Sequence, residues 1–107
     1  MTLDEYQQKA MTTAFDKDNE LFHRVLGLVG EAGEIAEKIK KLVRDHNTDL
    51  DKLDKDDIAK ELGDTLWYIA TLADFLGFSL EEIGQKNVKK LADRKERKVI
   101  HGAGDNR

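Results

Sequence analysis

From Leu21 to Val43, apolar residues return at helical spacing without a break: Leu21, Val25, Leu28, Val29, Ala32, Ile35, Ala36, Ile39, Leu42 and Val43. A run of that length, in a chain with no proline to end it, reads as one long helix with a side turned to a core. It is expected to start near Asp18 or Asn19 and to continue to about His46. Three shorter segments accompany it. The first, Leu3 to Phe15, opens on Thr2 with Glu5 three residues on, the capping-box spacing, and gathers Leu3, Tyr6, Ala10 and Ala14 on one side. After a polar connection over Asn47 to Asp56, a third helix from Lys55 to Phe75 or Leu76 carries Ile58, Leu62, Leu66, Ile69, Leu72, Ala73 and Leu76, and Gly77 closes it. Ser79 and Glu82 repeat the capping-box spacing and open a fourth helix, to about Arg97. Residues 99–107 carry no helical pattern and are expected to be flexible or to close over a site. The fold class is therefore all-α, a compact bundle of about four helices forming one domain over 1–107. A chain of this size buries only a modest core, so apolar helix surface left over is expected to pair with further copies.

Composition removes several chemistries. With no cysteine there is no disulfide framework, thiolate metal site or cysteine nucleophile. The opening MTLDEYQQKA lacks the apolar run of a signal peptide, and no stretch approaches the roughly 18 apolar residues of a membrane span. The expectation is a cytoplasmic protein without a membrane partner. A formal net charge of −4 argues against nucleic-acid binding, which draws its affinity from a basic face. A small phosphorylated ligand, bridged to an acidic pocket by a cation, remains compatible.

Four acids stand out. In GEAGE, Glu31 and Glu34 are three residues apart on the long helix, and in ELGD, Glu61 and Asp64 are three apart on the next. Each pair points one way, and the second lies on the shoulder of its apolar stripe, where a neighbouring helix can bring the first. Converging carboxylates repel unless a cation joins them. An oxygen-only donor set selects Mg²⁺, or Mn²⁺ in its place, over zinc or copper. The plain alternative is a solvated surface, with Glu34 and Lys38 forming an ordinary i, i+4 pair. Gly27, Gly30 and Gly33 interrupt the long helix at up to about 1 kcal/mol each, so either a ligand or a tightly packed helix comes close there. On the fourth helix, Asn87 and Arg94 fall on the stripe that should be apolar, with Lys90 at its edge; a phosphate clamp and an intra-bundle ion pair both account for them. Trp67 falls nearly opposite the apolar stripe of its helix, which suggests a subunit interface or stacking on a base.

GEAGEIAEKIKK followed by KELGDTLWYIATLADFLG resembles the MazG-like, all-α nucleoside triphosphate pyrophosphohydrolases. Their hallmark is ExxE, a spacer of between a dozen and nearly thirty residues, then ExxD; here residues 35 to 60, that is 26, form the spacer. NVKKLADRKER and the terminal GAGDNR are similar to the family's ending, so the resemblance spans nearly the whole chain. Gly30 stands where many relatives carry a further glutamate. The resemblance implies a hydrolase that splits (d)NTPs between the α and β phosphates into (d)NMP and pyrophosphate, as nucleotide-pool house-cleaning. It implies Mg²⁺ on Glu31, Glu34, Glu61 and Asp64, with Glu34 and Glu61 as the catalytic carboxylates. Asn87, Lys90 and Arg94 become substrate-binding residues, to which the position of Trp67 adds a candidate base-stacking residue, and a homodimer or homotetramer the working form. Two rivals stand beside this reading. One is a non-catalytic helical protein-interaction module. The other, a di-iron bundle, requires two ExxH motifs, and Glu20 with His23 supplies only one.

Overall fold

The computed structural model describes residues 1–15 and 18–107. In chain order it contains α1 (Leu3–Met11), α2 (Glu20–His46), a 3₁₀ turn (Leu50–Lys52), α3 (Lys55–Phe75) and α4 (Leu80–Glu96), with no strand among the described residues. Local chemistry sets the ends. The Ser79 hydroxyl accepts from the Glu82 N–H while the Glu82 carboxylate accepts from the Ser79 N–H, so the second capping box is complete. Gly77, at φ +83, takes the left-handed turn that lets the Phe78 N–H reach back to the Ala73 carbonyl and stop α3. α1 ends at Met11, four residues short of the sequence expectation. Thr12 and Thr13 turn their hydroxyls back onto the Lys9 and Ala10 carbonyls, at 2.6 and 2.9 Å, and so terminate it.

α2 and α3 form an antiparallel pair whose register can be read from successive contacts. The Arg24 guanidinium, 6% exposed, donates to the Thr71 carbonyl at 2.8 Å, pairs with Glu20 and lies over the Phe75 ring. One turn on, a Cβ at Gly27 would lie 2.1 Å from the Tyr68 ring, so only glycine admits that approach. Further along, Glu31 stands against Asp64 and Glu61, and Lys38 against Asp57 and Glu61. Gly30 and Gly33 differ from Gly27, because nothing in the chain comes within 4 Å of a Cβ at either. Close approach thus accounts for one of the three glycines.

Gln7 ties α1 to the far end of α3. Its buried amide donates to the Ala70 and Phe78 carbonyls at 3.1 and 3.0 Å and accepts from the Leu80 N–H at 3.1 Å. Around it Ala10, Ala70, Ala73 and Leu80 form a small core, with Tyr6, Trp67, Ile69 and Ile83 packed on its edge. α4 rests on α1 and more sparsely on α3, and does not meet α2. The result is open: the radius of gyration is 16.9 Å, against about 13 Å for a compact domain of this length. Val25, Val29, Ala32, Ala36, Ile39 and Val43 alternate by four and three residues along α2 and all remain exposed. That heptad stripe lies on a different face from the one α3 covers. No helix among the described residues is long and apolar enough to cross a membrane.

Candidate functional site

Three of the four predicted acids come together. Glu31 from α2 and Glu61 and Asp64 from α3 each offer a carboxylate oxygen, all within 4.8 Å of one another. The antiparallel register does this, by setting the ExxE of one helix beside the ExxD of the next. Burial pushes the Glu31 carboxyl above its usual range; a hydrogen bond with Glu61 and the charges of Asp64, Glu61 and Glu34 push the same way. Glu34 lies outside the group: it is exposed, yet near enough for its charge to act on Glu31.

Lys38 does not take the surface pair with Glu34 that its spacing allows. It crosses to α3, where its ammonium bonds Asp57 and stands 3.5 Å from Glu61. Asp57 holds that cation beside the acids, and its own carboxyl is lowered by the hydrogen bond from Lys38. Tyr6 of α1 is close enough for the Asp64 charge to add to the rise that burial gives its phenol. Sequence reading did not place Lys38, Asp57 or Tyr6 in the site.

Trp67 is not on an outward side of α3. It is half-buried against the α1 side of the core and donates from Nε1 to the Thr13 hydroxyl at 2.8 Å. The apolar stripe of α3 is split between two neighbours, α1 and α2, and Trp67 belongs to the α1 part. With Tyr68, Phe15, Glu20, His23 and Arg24 it lines a cleft of about 260 Å³. Trp67 and Tyr68 follow Asp64 by three and four residues, so the cleft begins about 5 Å further along α3. His23 of α2 also faces this cleft.

The predicted residues of α4 separate. Arg94 is buried, at 5% exposed, as its place on the stripe suggested. Asn87 is exposed rather than turned inward, and Leu91 beside it is 42% exposed. α4 packs through Leu80 and Ile83 near its start, so its later turns have no core to face. The Arg94 and Lys90 cations both meet Asp105 of the terminal segment, at 3.1 and 3.0 Å.

The description "MazG nucleotide pyrophosphohydrolase domain" belongs to the family model that matches residues 23–99. The chain belongs to the MazG family. The matched stretch contains all four acids and the three predicted residues of α4. The chain is 45% identical, over 114 residues that cover both proteins in full, to the Gene 37 protein of Mycobacterium phage L5. It is 35% identical over 80 residues, 70% of this chain and 76% of the other, to the Uncharacterized protein YvdC of Bacillus subtilis (strain 168). No solved structure matches it. MazG membership agrees with the all-α fold, and the names of these two relatives state no reaction.

Proposed function

We infer that the protein is a Mg²⁺-dependent nucleoside triphosphate pyrophosphohydrolase, releasing pyrophosphate and a nucleoside monophosphate from (d)NTPs as cytoplasmic house-cleaning. The observation that carries this is the meeting of Glu31, Glu61 and Asp64 across two helices, beside an aromatic cleft, in a MazG-family chain. The donor set fits the ion. It is all oxygen, which suits Mg²⁺ or Mn²⁺, and the Glu31 carboxyl is raised by burial first and then by the neighbouring acids. When bound, the ion polarises a phosphoryl oxygen and eases ionisation of the attacking water.

The remaining roles fall to the chain's own groups. Glu31, Glu61 and Asp64 would hold the ion, with Glu34 completing the set from the shoulder. Glu34 makes no hydrogen bond or ion pair among the described residues, so its carboxylate is available to take the proton of the attacking water. Glu61, steadied by Lys38, orients the same water from the α3 side. The cleft at Trp67, Tyr68 and His23 receives the base by stacking. Asn87, Lys90 and Arg94 take the phosphates that leave, their charges offsetting the developing negative charge. Because α4 does not meet α2 in one chain, we assign that contact to a neighbouring copy in a homodimer or homotetramer, with the bare stripe of α2 as the face it covers.

The test is pyrophosphate release with Mg²⁺ over a panel of ordinary, deoxy and damaged triphosphates, repeated with Glu61→Gln and Asp64→Asn. Full activity in both variants rejects the site. The exposed stripe of α2 is also what a plain interaction module would present. Such a module shows no Mg²⁺-dependent uptake of a non-hydrolysable triphosphate in calorimetry.

A further inference from the structure

Arg94 is almost fully buried, and both hydrogen bonds of its side chain end on one residue. Its Nη2 donates to the Asp105 carbonyl at 2.7 Å and to Asp105 Oδ1 at 3.1 Å, and Lys90 Nζ donates to the same Oδ1 at 3.0 Å. The two cations hold the Asp105 carboxyl below its usual range, Lys90 foremost. The pair is lopsided: the Arg94 side chain is 6% exposed and the Asp105 side chain 82%. An ion pair whose acid stays in solvent is screened and contributes little to stability, so its acid can be exchanged for another anion at small cost.

The segment that carries Asp105 is closed on itself. Arg107 donates to the carbonyls of Val99, Ile100 and Gly104, so its three bonds all stay within the segment. Beyond the backbone turns at its root, Asp105 supplies the polar attachments of this loop to α4.

We propose that Asp105 is a built-in competitor for the anion site of α4: loop 99–107 holds its carboxylate over Lys90 and Arg94 in the free protein, and a phosphate group of the incoming ligand displaces it. This rests on the reading of Lys90 and Arg94 as phosphate-binding residues. A polyphosphate brings more charge and more acceptor oxygens to the guanidinium than a single carboxylate does, so exchange favours the ligand. The loop then acts as a threshold that weak, singly charged anions do not cross.

Inorganic tripolyphosphate with Mg²⁺, titrated calorimetrically into the full chain, tests this without reference to any base. Asp105→Asn is expected to bind about two- to fivefold more tightly than the unaltered protein, the span of a largely exposed ion pair. Equal or weaker binding overturns the proposal. Arg94→Gln is expected to bind at least about tenfold more weakly, since it loses a charge-assisted contact. If Arg94→Gln binds as the unaltered protein does, the phosphate reading of α4 fails and the competitor fails with it. If it weakens while Asp105→Asn does not tighten, the competitor alone fails. Should Asp105→Asn lose its helical circular dichroism, amide exchange in the unaltered chain decides. Faster exchange over 99–107 on adding tripolyphosphate supports displacement, and unchanged or slower exchange rejects it.

Discussion

The α2–α3 pair and the α4 arm are both built from amphipathic helices, yet they meet their surroundings in opposite ways. Along α2–α3 several polar groups are answered by a residue of the facing helix: Arg24 by Thr71, Glu31 by Asp64 and Glu61, Lys38 by Asp57. Along α4 only the first turns find partners, through Leu80, Ile83 and Gln7, and the buried Arg94 depends on the terminal segment. The lesson is that a helix pair with a fixed register can assemble a charged site within one chain. An arm held at one end leaves its cations to the terminal segment, where Asp105 answers both Lys90 and Arg94.

The sharpest way to break this contrast is through the acids. Glu61→Gln and Asp64→Asn are each expected to lower pyrophosphate release about a hundredfold or more, because a lost ligand and its orientation both count. The same substitutions should leave the helical circular dichroism intact. A comparable loss from Lys90→Ala, with the acid variants active, would reverse which region carries the chemistry.

Gln7→Leu comes next in size. It would strip three backbone groups, the Ala70 and Phe78 carbonyls and the Leu80 N–H, of their shared side-chain partner. The expected loss is about 2–4 kcal/mol in denaturant unfolding, and α4 should loosen before α2–α3 in hydrogen exchange. Equal protection of both regions would show that α4 is not hung on this amide.

The register of the hairpin is probed by glycine. Gly27→Ala puts a methyl group into the Tyr68 ring and is expected to cost about 1–3 kcal/mol, read as a lower melting midpoint. Gly33→Ala meets nothing within the chain, so in a single chain it should gain up to about 1 kcal/mol of helix propensity. A loss at Gly33 instead would locate the close approach of a second copy.

The smallest effect is one of pH. With its carboxyl pulled upward in the folded chain, Glu31 adds stability that is complete below the ordinary glutamate value and lost as pH rises through its raised value. Binding Mg²⁺ requires the charged form, so the ion's stabilising effect should grow over the same rise in pH. Melting midpoints with and without Mg²⁺, taken across that window, check this. A gap that does not change with pH would remove Glu31 from the ligand set.

Much of this arrangement was legible in the residues. The capping box at Ser79 and Glu82, the Thr2 cap, the closing Gly77 and the period of α2 and α3 are local signals, and local chemistry decided them. The two acidic couples could be read because their three-residue spacing fixes direction on a helix, whatever that helix packs against. Position on a wheel misled where one helix has two neighbours. Trp67 looked outward relative to Leu62, Leu66 and Leu76, yet the indole packs on the edge of the small core beside Ala10 and Ala70 and bonds Thr13 of the turn after α1. Asn87 looked inward because its stripe continues that of Leu80 and Ile83, although no helix of the same chain covers the later turns of α4. The partnership of Arg94 with Asp105 leaves no periodic trace, since the segment that bears Asp105 is not helical. The crossing of Lys38 to Asp57 depends on the register between two helices, which neither helix states by itself.

The uncovered run of Val25, Val29, Ile39 and Val43 on α2 has a thermodynamic corollary. Apolar surface that a chain cannot hide alone is hidden by mass action, so heat resistance becomes a property of the sample as well as of the molecule. A dilute solution should melt sooner than a concentrated one, and a melting temperature quoted without its molarity would be only half a measurement.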